Sequence, residues 1–572
     1  MIQASRGNHV FLEIPGRFQE SEKSFFLRLL QPEKESPFFF EFMANLRILL
    51  RDNRVKFLSI MIPDLDYGFA EVESIRNLLE KLRNKGVWLR GFAETGDLKT
   101  LYLLSICQER FSTETGEFRS ILPSTDSFFF GQLFKNQKVK VDVFQSGPYK
   151  SFGEIFTRKD FSKPARENLE ILIKDLREII VRTVCSESKL KDSDLQRPIL
   201  TSGFLNDTGY LNGWIDKRQF RENFLYQDLT KIPREESVNN EESTVKQKKK
   251  KKQDKKFSFE LSWKQIRRKA KVVEFSFFGS SNDLIAILPL KGEIISAKES
   301  RSEWKSGSID SYAVENILEE WKSNPNIKAI LLEIDSPGGS ATDSERIHQA
   351  LKSIGKTIPV YSFLSNTCAS GGYYIACAGK KIYSSKIGIV GSIGTIMMRF
   401  DLSGFYQKWG ITRDRIGFYP MREVYSETGP LSRESVAFLK KEIDRVESLF
   451  LRRVAESRNP GAKVLETYSG GRVFSPERFA AGGMIDSILG YSECLDEIKK
   501  IENLISAKVI FGAPKYNIGR AIRESIPFIR AMIQYDWKDA LKVGLEKLNS
   551  LETDWELKLY NPWAERLGSW FR

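Results

Sequence analysis

Ser370 stands in Ser365-Asn-Thr-Cys-Ala-Ser370-Gly-Gly-Tyr-Tyr, after the apolar run VYSFL and ahead of YYIACA. A serine at a strand-to-helix turn, followed by two glycines, has the mechanics of an exposed nucleophile. Its hydroxyl projects at a helix start, whose N–H groups and dipole favour negative charge. Read alone, the residue serves equally well as an N-cap. Upstream, the buried run AILLEI is followed by Asp335-Ser-Pro-Gly338-Gly339. Paired glycines after a strand let the backbone approach a ligand and offer it amide N–H groups; alone, they read as a tight turn. A serine hydroxyl needs a base to attack an amide. The chain holds two histidines, His9 and His348, and neither follows Ser370. A histidine triad and a histidine metal site are both poor prospects. The five cysteines are odd in number and widely spaced, with no CxxC pair, so neither a disulfide framework nor a zinc site is expected.

The elements that carry these loops occur twice. NRVKFLSIMI near residue 55 is followed by EVESIRNLLEKLRNKGVWLRGF, and PNIKAILLEID near residue 327 by DSERIHQALKSIGKTIPVYSF. Each stretch predicts a buried strand, a loop, an amphipathic helix and a second buried strand. The offset is close to 272 residues, and it persists from Tyr102-Leu-Leu against Tyr373-Tyr-Ile to Gly213–Asp216 (GWID) against Gly483–Asp486 (GMID). Alternating strands and helices predict two tandem α/β units with mostly parallel sheets. The expected organisation is a first repeat over 1–231, a lysine-rich linker over 232–270, a second repeat over 271–505 and a tail over 506–572. The tail carries Trp537, Trp555, Trp563 and Trp570 and reads as amphipathic helices.

DSPGG, then ASGGYY about thirty residues on, then Val390-Gly-Ser-Ile-Gly, Gly471-Arg-Val-Phe and Gly483-Met-Ile-Asp together resemble the signal peptide peptidase A (protease IV) family in its long, duplicated form. The resemblance covers residues 8–220 and 280–500. It implies two Clp-protease/crotonase-like domains and a serine peptidase with Ser370 as nucleophile. It also implies an oxyanion site built from Gly338, Gly339 and the N–H groups near Ser370, Gly371 among them. In this family the base is a lysine, which burial must desolvate so that it can accept a proton near neutral pH. In the short relatives it follows the serine by roughly fifty residues, a reach that lands here on Arg422. Arginine stays protonated and cannot serve as a base. Subtracting the repeat offset from 422 gives 150, and Lys150 stands there in Ser146-Gly-Pro-Tyr-Lys-Ser. The same subtraction from Ser370 reaches Leu98 or Lys99, where there is no serine, and the first half reads Pro63-Asp-Leu-Asp-Tyr-Gly in place of the glycine loop. One repeat thus supplies the lysine and the other the serine. Ser392 is expected to orient the lysine by a hydrogen bond, and Tyr373, Tyr374 and Ile375 are read as wall and core.

Net charge is +14, of which Lys246–Lys256 contributes +7, so the folded parts are only mildly basic and no nucleic-acid groove is read from the total. The lysine tract reads as a solvated tether and the tail's amphipathic segments as helices that pack on the body or lie in a membrane interface; together they could give peripheral contact with anionic membrane. The N-terminal residues show no signal peptide, and no run is apolar enough for a spanning helix. The expected activity is endoproteolysis of short hydrophobic peptides such as cleaved signal peptides, by a membrane-associated protein. It needs no metal or cofactor, and the family implies a homo-oligomer, a tetramer by analogy. The rivals are a crotonase-like acyl-CoA enzyme and a catalytically dead scaffold on the same fold.

Overall fold

The fold is described from a computed structural model of the chain, over residues 2–4, 9–18, 39–113, 116–188, 191–196, 200–201, 217–218, 282–295, 307–414 and 421–512. GWID at 213–216, the linker and all but the first residues of the tail lie outside them.

The first repeat builds a six-stranded sheet from β1 (Ile2–Ala4), β2 (His9–Glu13), β3 (Phe57–Met61), β4 (Trp88–Phe92), β5 (Glu109–Ser112) and, beyond a strand β6 (Lys140–Gln145) that leaves the sheet, β7 (Lys217–Arg218). The spatial order is β1-β2-β3-β4-β5-β7, parallel throughout except for the β1–β2 pair. Its helices include α1 (Phe39–Arg51), α2 (Phe69–Asn84), α3 (Leu98–Leu104), α4 (Gly131–Asn136) and α5 (Lys163–Glu187).

The second repeat builds an eight-stranded sheet. Its strands are β8 (Leu284–Lys291), β9 (Ile327–Ser336), β10 (Val360–Ala369), β11 (Ile382–Ser384) and β12 (Ile389–Gly391), followed after β13 (Ile396–Asp401) by β14 (Val473–Phe474), β15 (Ser487–Ile488) and β16 (Lys508–Phe511). The path runs β14-β12-β10-β9-β8-β16, with β11 also on β10 and β15 on β11; only β14 is antiparallel to its neighbour. Its helices include α6 (Ser311–Lys322), α7 (Ala341–Ile354), α8 (Gly371–Ala376), α9 (Ser403–Lys408), α10 (Arg433–Arg458) and α11 (Tyr491–Ile501). Mostly parallel sheets with helices between their strands are the fold class expected from the alternating pattern. The offset is visible in the elements: α2 and α7 start at Phe69 and Ala341, and β4 and β10 at Trp88 and Val360, in each case 272 residues apart.

Two readings change. Ser365–Ala369, read as a loop, continues β10, and all ten residues of that strand are buried. The polar types disguise the strand, but the Asp335 carboxylate accepts from Thr367 N–H and from Asn366 Nδ2, both at 3.0 Å, which satisfies them inside the sheet. Lys508–Phe511, assigned to the tail, is the edge strand beside β8.

The repeats share a core. Strand side chains alternate between faces, so Ile285, Ile287, Leu331, Tyr361 and Phe363 face one way and pack with Val72, Ile75 and Leu79 of α2 from the first repeat. Ala286, Leu288, Ile330, Leu332 and Leu364 face the other way, toward Leu318 of α6 and Ile347 and Leu351 of α7. A first-repeat helix therefore covers one face of the sheet that carries the serine. At that junction Asn366 Oδ1 accepts from Ala70 N–H at 2.8 Å and its Nδ2 donates to Glu71 at 2.9 Å.

A second connection reaches the site. β6 leaves the first repeat and pairs antiparallel with β13, in register from Lys140↔Asp401 to Gln145↔Ile396. Arg399, buried in this arm, pairs with Asp142 at 3.0 Å and donates to the carbonyls of Glu423, Ser426 and Gly429. Among the described residues, no helix is long and apolar enough to cross a membrane.

Candidate active site

The arm ladder explains how residues 220 apart in sequence meet. Beyond Gln145↔Ile396 it closes with Ser146 N–H to the Thr395 carbonyl at 3.0 Å and Thr395 N–H to Ser146 Oγ at 2.8 Å. Lys150 comes four residues after Ser146 and Ser392 three before Thr395, so one register delivers both to the same end. A slip of one residue would turn every side chain of the ladder to the opposite face.

There, Lys150 Nζ lies 3.0 Å from Ser370 Oγ, 2.9 Å from Ser392 Oγ and 3.0 Å from the Ser392 carbonyl. The lysine is buried and the serine half-buried. Burial pushes the Lys150 amine down to about 8, against the opposing pull of the Glu447 carboxylate. A free lysine titrates near 10.4, so a sizeable fraction of this one is a neutral base at mildly alkaline pH.

Ser370 sits between β10 and α8 with φ 53° and ψ −121°, and its side chain makes no capping bond. Ser370 thus holds the N-cap position of α8, but its hydroxyl is not spent on capping. Positive φ at a non-glycine residue costs about 1–3 kcal/mol and persists only where its surroundings enforce it. Here Ser370 N–H donates to the Gly391 carbonyl at 2.9 Å, and the Ser370 carbonyl accepts the first helical bond, from Tyr374, at 2.9 Å. Ser392 also has positive φ, 51°, and its N–H donates to the Arg472 carbonyl at 2.6 Å.

Gly338 and Gly339 adopt φ 107° and 143°. A Cβ on Gly338 would lie 2.8 Å from Ser370 Cβ, and one on Gly339 would lie 2.1 Å from the Ile294 carbonyl oxygen. Gly338 N–H is taken by Ser336 Oγ at 3.2 Å. The N–H groups of Gly339 and Gly371 have no partner among the described residues, so these two keep a donor to spare.

The other candidates lie elsewhere. His348 Nδ1 is 3.2 Å from the Tyr374 carbonyl, and burial lowers its ring to about 4. His9 Nε2 is 2.8 Å from Ser59 Oγ in the first sheet. Lys99 Nζ donates to the carbonyls of Leu65 at 2.6 Å and Tyr67 at 3.0 Å. Arg422 is exposed at the start of a short 3-10 turn. Tyr373 Oη donates to the Met484 carbonyl and Tyr374 Oη to Glu345, as befits wall and core.

The sequence model of peptidase family S49 matches residues 87–229 and 352–505, more than half of the chain. This chain belongs to peptidase family S49. It is 27% identical over 454 residues to the chloroplastic serine protease SPPA of Arabidopsis thaliana, covering 79% of this chain but only 64% of that protein. It is 32% identical over 237 residues to a putative signal peptide peptidase SppA of Enterococcus faecium, covering 41% of this chain and 67% of that one. Protease 4 of Salmonella typhi is 23% identical over 456 residues, with 78% and 69% covered. The serine-peptidase class expected from the residues is the class that the family and these relatives carry. Among solved structures, a ClpP1 mutant from Listeria monocytogenes is 17% identical and covers 36% of this chain and 94% of that one; its TM-score is 0.25, a likeness too weak to argue from.

Sequence reasoning missed the residues that brace Lys150. Tyr149 N–H donates to the Gly470 carbonyl at 3.2 Å, and Gly471 N–H to the Ile393 carbonyl at 2.8 Å. A Cβ on Gly471, at φ 87°, would lie 2.5 Å from the Lys150 backbone nitrogen. The Arg472 guanidinium covers the Tyr149 ring at 4.1 Å and donates to its hydroxyl at 2.7 Å. The Gly471-Arg-Val-Phe motif belongs to the resemblance, but nothing in the sequence alone says what it touches.

Proposed function

We propose that the chain is a serine endopeptidase with a Ser370–Lys150 dyad. The observation that supports it most is the 3.0 Å approach of the buried Lys150 amine to the Ser370 hydroxyl. Ser370 Oγ attacks the scissile carbonyl while Lys150 Nζ takes its proton. The resulting ammonium returns that proton to the leaving amine as the C–N bond breaks, and water then resolves the acyl-enzyme by the reverse path. Ser392, with both oxygens within 3.0 Å of Nζ, aims the lysine. Gly339 and Gly371 donate to the developing oxyanion, and Gly338 makes the room. Such preorganised donors lower the barrier because they are in place before charge develops.

The first repeat, 1–231, contributes the base and the second, 271–505, the nucleophile. The substrates in this reading are short, extended hydrophobic peptides such as cleaved signal peptides, which the name of the Enterococcus relative supports. The resemblance supports a homo-oligomer, a tetramer, and the lysine tract with the aromatic tail supports salt-sensitive contact with anionic membrane.

A fluorophosphonate probe tests the reading. It should label Ser370, and both labelling and turnover of a fluorogenic peptide should vanish in Ser370→Ala and Lys150→Ala. Their double mutant should lose little more, since residues acting as a unit are non-additive. Labelling elsewhere, or turnover in Lys150→Ala near that of the wild type, would end it. An acyl-CoA enzyme or a dead scaffold would show no labelling of Ser370.

A further inference from the structure

The buried face of α10 is formed by Leu439, Ile443, Phe450 and Val454. Their spacing of three to four residues is that of one helical stripe, and it leaves a gap at 447, where Glu447 stands. A carboxylate in the middle of an apolar stripe calls for a partner, since a buried charge is costly unless paired. Its Oε2 is shut off from solvent and has no hydrogen-bond partner among the described residues. α10 packs on the arm, where Leu439 and Ile443 join Phe144 of β6 and the Thr395 hydroxyl donates to the Ile443 carbonyl at 3.4 Å; Glu447, one turn on from Ile443, thus faces the Ser146–Thr395 pair that closes the arm ladder at the start of the lysine loop. The charged groups that act on it are Lys150, across the repeat boundary, and Asp444, one turn back on α10; the charge that acts on Lys150 is Glu447.

We propose that Glu447 is a positioning residue of the dyad: it fixes the Ser146–Lys150 loop and stabilises Lys150 as an ammonium in the interval when it holds the serine's proton. The inference rests on the Ser370–Lys150 reading above. In each half-reaction the proton moves from oxygen to Nζ as the new C–O bond forms, and from Nζ to the departing group as the old bond breaks. Between the two moves a positive charge sits in a desolvated pocket, where a nearby carboxylate has its greatest effect. Burial raises the Glu447 carboxyl itself, and the Ser146 hydroxyl, the charge on Lys150 and the Thr395 amide oppose that rise. The same carboxylate keeps the lysine from falling further below its free value, so it sets the pH at which the base becomes available.

The test is Glu447→Gln, which keeps shape and removes charge, with Glu447→Asp as the charge-keeping control. The readouts are the rate of Ser370 labelling by the fluorophosphonate and kcat/KM on a fluorogenic peptide, each followed across pH in the full chain. In the wild type both should rise through about 8. In the Gln variant the midpoint should move down by about one pH unit, the usual size of a nearby-charge effect, with a modest fall in the plateau. The Asp variant should stay close to the wild-type midpoint. If the Gln midpoint does not move while Ser370→Ala and Lys150→Ala are dead, the role is overturned and Glu447 only packs; a lower Tm with an unmoved midpoint says the same. If Lys150→Ala labels normally, the dyad itself falls, and the two failures are distinct.

Discussion

Both repeats run a strand into a short helix at the same place, and the two turns do opposite things with it. In the first repeat Asp97 takes extended backbone at φ −105°, and its carboxylate accepts from Lys99 N–H at 2.9 Å and Thr100 N–H at 3.1 Å. In the second, Ser370 is forced to φ 53°, leaves its helix uncapped and turns its hydroxyl to Lys150. Opposite the first turn, the loop Pro63–Gly68 gives two carbonyls to the Lys99 amine; opposite the second, Gly338 and Gly339 hold positive φ beside the serine. The first turn satisfies its own donors and acceptors. The second leaves donors open and a backbone strained, which is what a reactive site requires and what a stability optimum would remove. The first turn is a capped helix start, and Lys150, on a different loop of the same repeat, lies against the second.

The sharpest way to break this comparison is to exchange lysines. Both are buried, and burial lowers both amines, so burial alone does not tell them apart. Lys150→Ala should cost about 10⁴ or more in turnover, as loss of a member of a catalytic unit does, and Lys150→Arg should be equally dead. Lys99→Ala should leave turnover of the folded protein unchanged. A lysine placed at 422 in the Lys150→Ala background should not rescue it, because Arg422 is exposed and the dyad needs a desolvated amine. A dead Lys99→Ala that remains folded would overturn the division of labour.

A smaller effect separates the glycines. Gly371→Ala would place a Cβ 2.5 Å from Ser344 Oγ and 2.9 Å from the end of Ile294, and Gly339→Ala would drive one into backbone. Gly371→Ala is the cleaner probe, since flexible side chains can yield. Displacing one oxyanion donor should lower kcat by about 10²–10³ with little change in KM. A change in KM alone would move the glycine from the transition state to ground-state binding.

The legible parts of this molecule were the ones enforced locally. Gly338 and Gly339 are glycines because of their φ values and of Ser370 Cβ and Ile294 beside them, and that constraint is written in the residues themselves. The repeat offset points to Lys150 because duplicated helices and strands start at the same spacing, Phe69 against Ala341 and Trp88 against Val360. Contacts between distant positions of common type were not legible. Glu447 looks like any other glutamate of a charged helix, and Ser146 and Thr395 look like ordinary loop residues. The β6–β13 register brings Ser146 and Thr395 together, and the packing of α10 on Phe144 adds Glu447. The placement of α2 over the second sheet was hidden for a related reason: an amphipathic helix announces that it has an apolar face, not which sheet that face will meet.

Proton linkage gives a third measurement. The Lys150 amine titrates near 10.5 when unfolded and about 8 when folded, so between those values the unfolded chain binds more protons and stability rises with pH. The penalty for burying the charged amine is full below about 8 and gone above about 10.5. Lys150→Met removes it at every pH. The difference in unfolding free energy between wild type and Lys150→Met should therefore move in favour of the wild type by about 3 kcal/mol between pH 7 and 10.5. Denaturant titrations in parallel check it, and a flat difference would mean that the amine is not depressed.

The mildest perturbation falls on the relaxed turn. Asp97→Ala removes the side-chain acceptor for Lys99 and Thr100 N–H and the ion pair to Lys99 Nζ at 3.6 Å. The pair is half-exposed on the Asp97 side, so solvent screens most of its worth, and the cap contributes more. Loss of an N-cap aspartate costs about 1 kcal/mol. Stability in denaturant should fall by that amount, and turnover of the folded protein should not change. α3 also packs its buried face, Leu98, Leu101 and Tyr102 among it, into the shared core, so the helix persists without its cap and the loss stays local. The measurement bears on the comparison because Asp97 stands where the second repeat has Ser370: α3 begins at Leu98 and α8 at Gly371, each one residue beyond. If Asp97→Ala lowered turnover tenfold in a fully folded sample, the first turn would be coupled to the chemistry, and the two repeats would share a site rather than divide it.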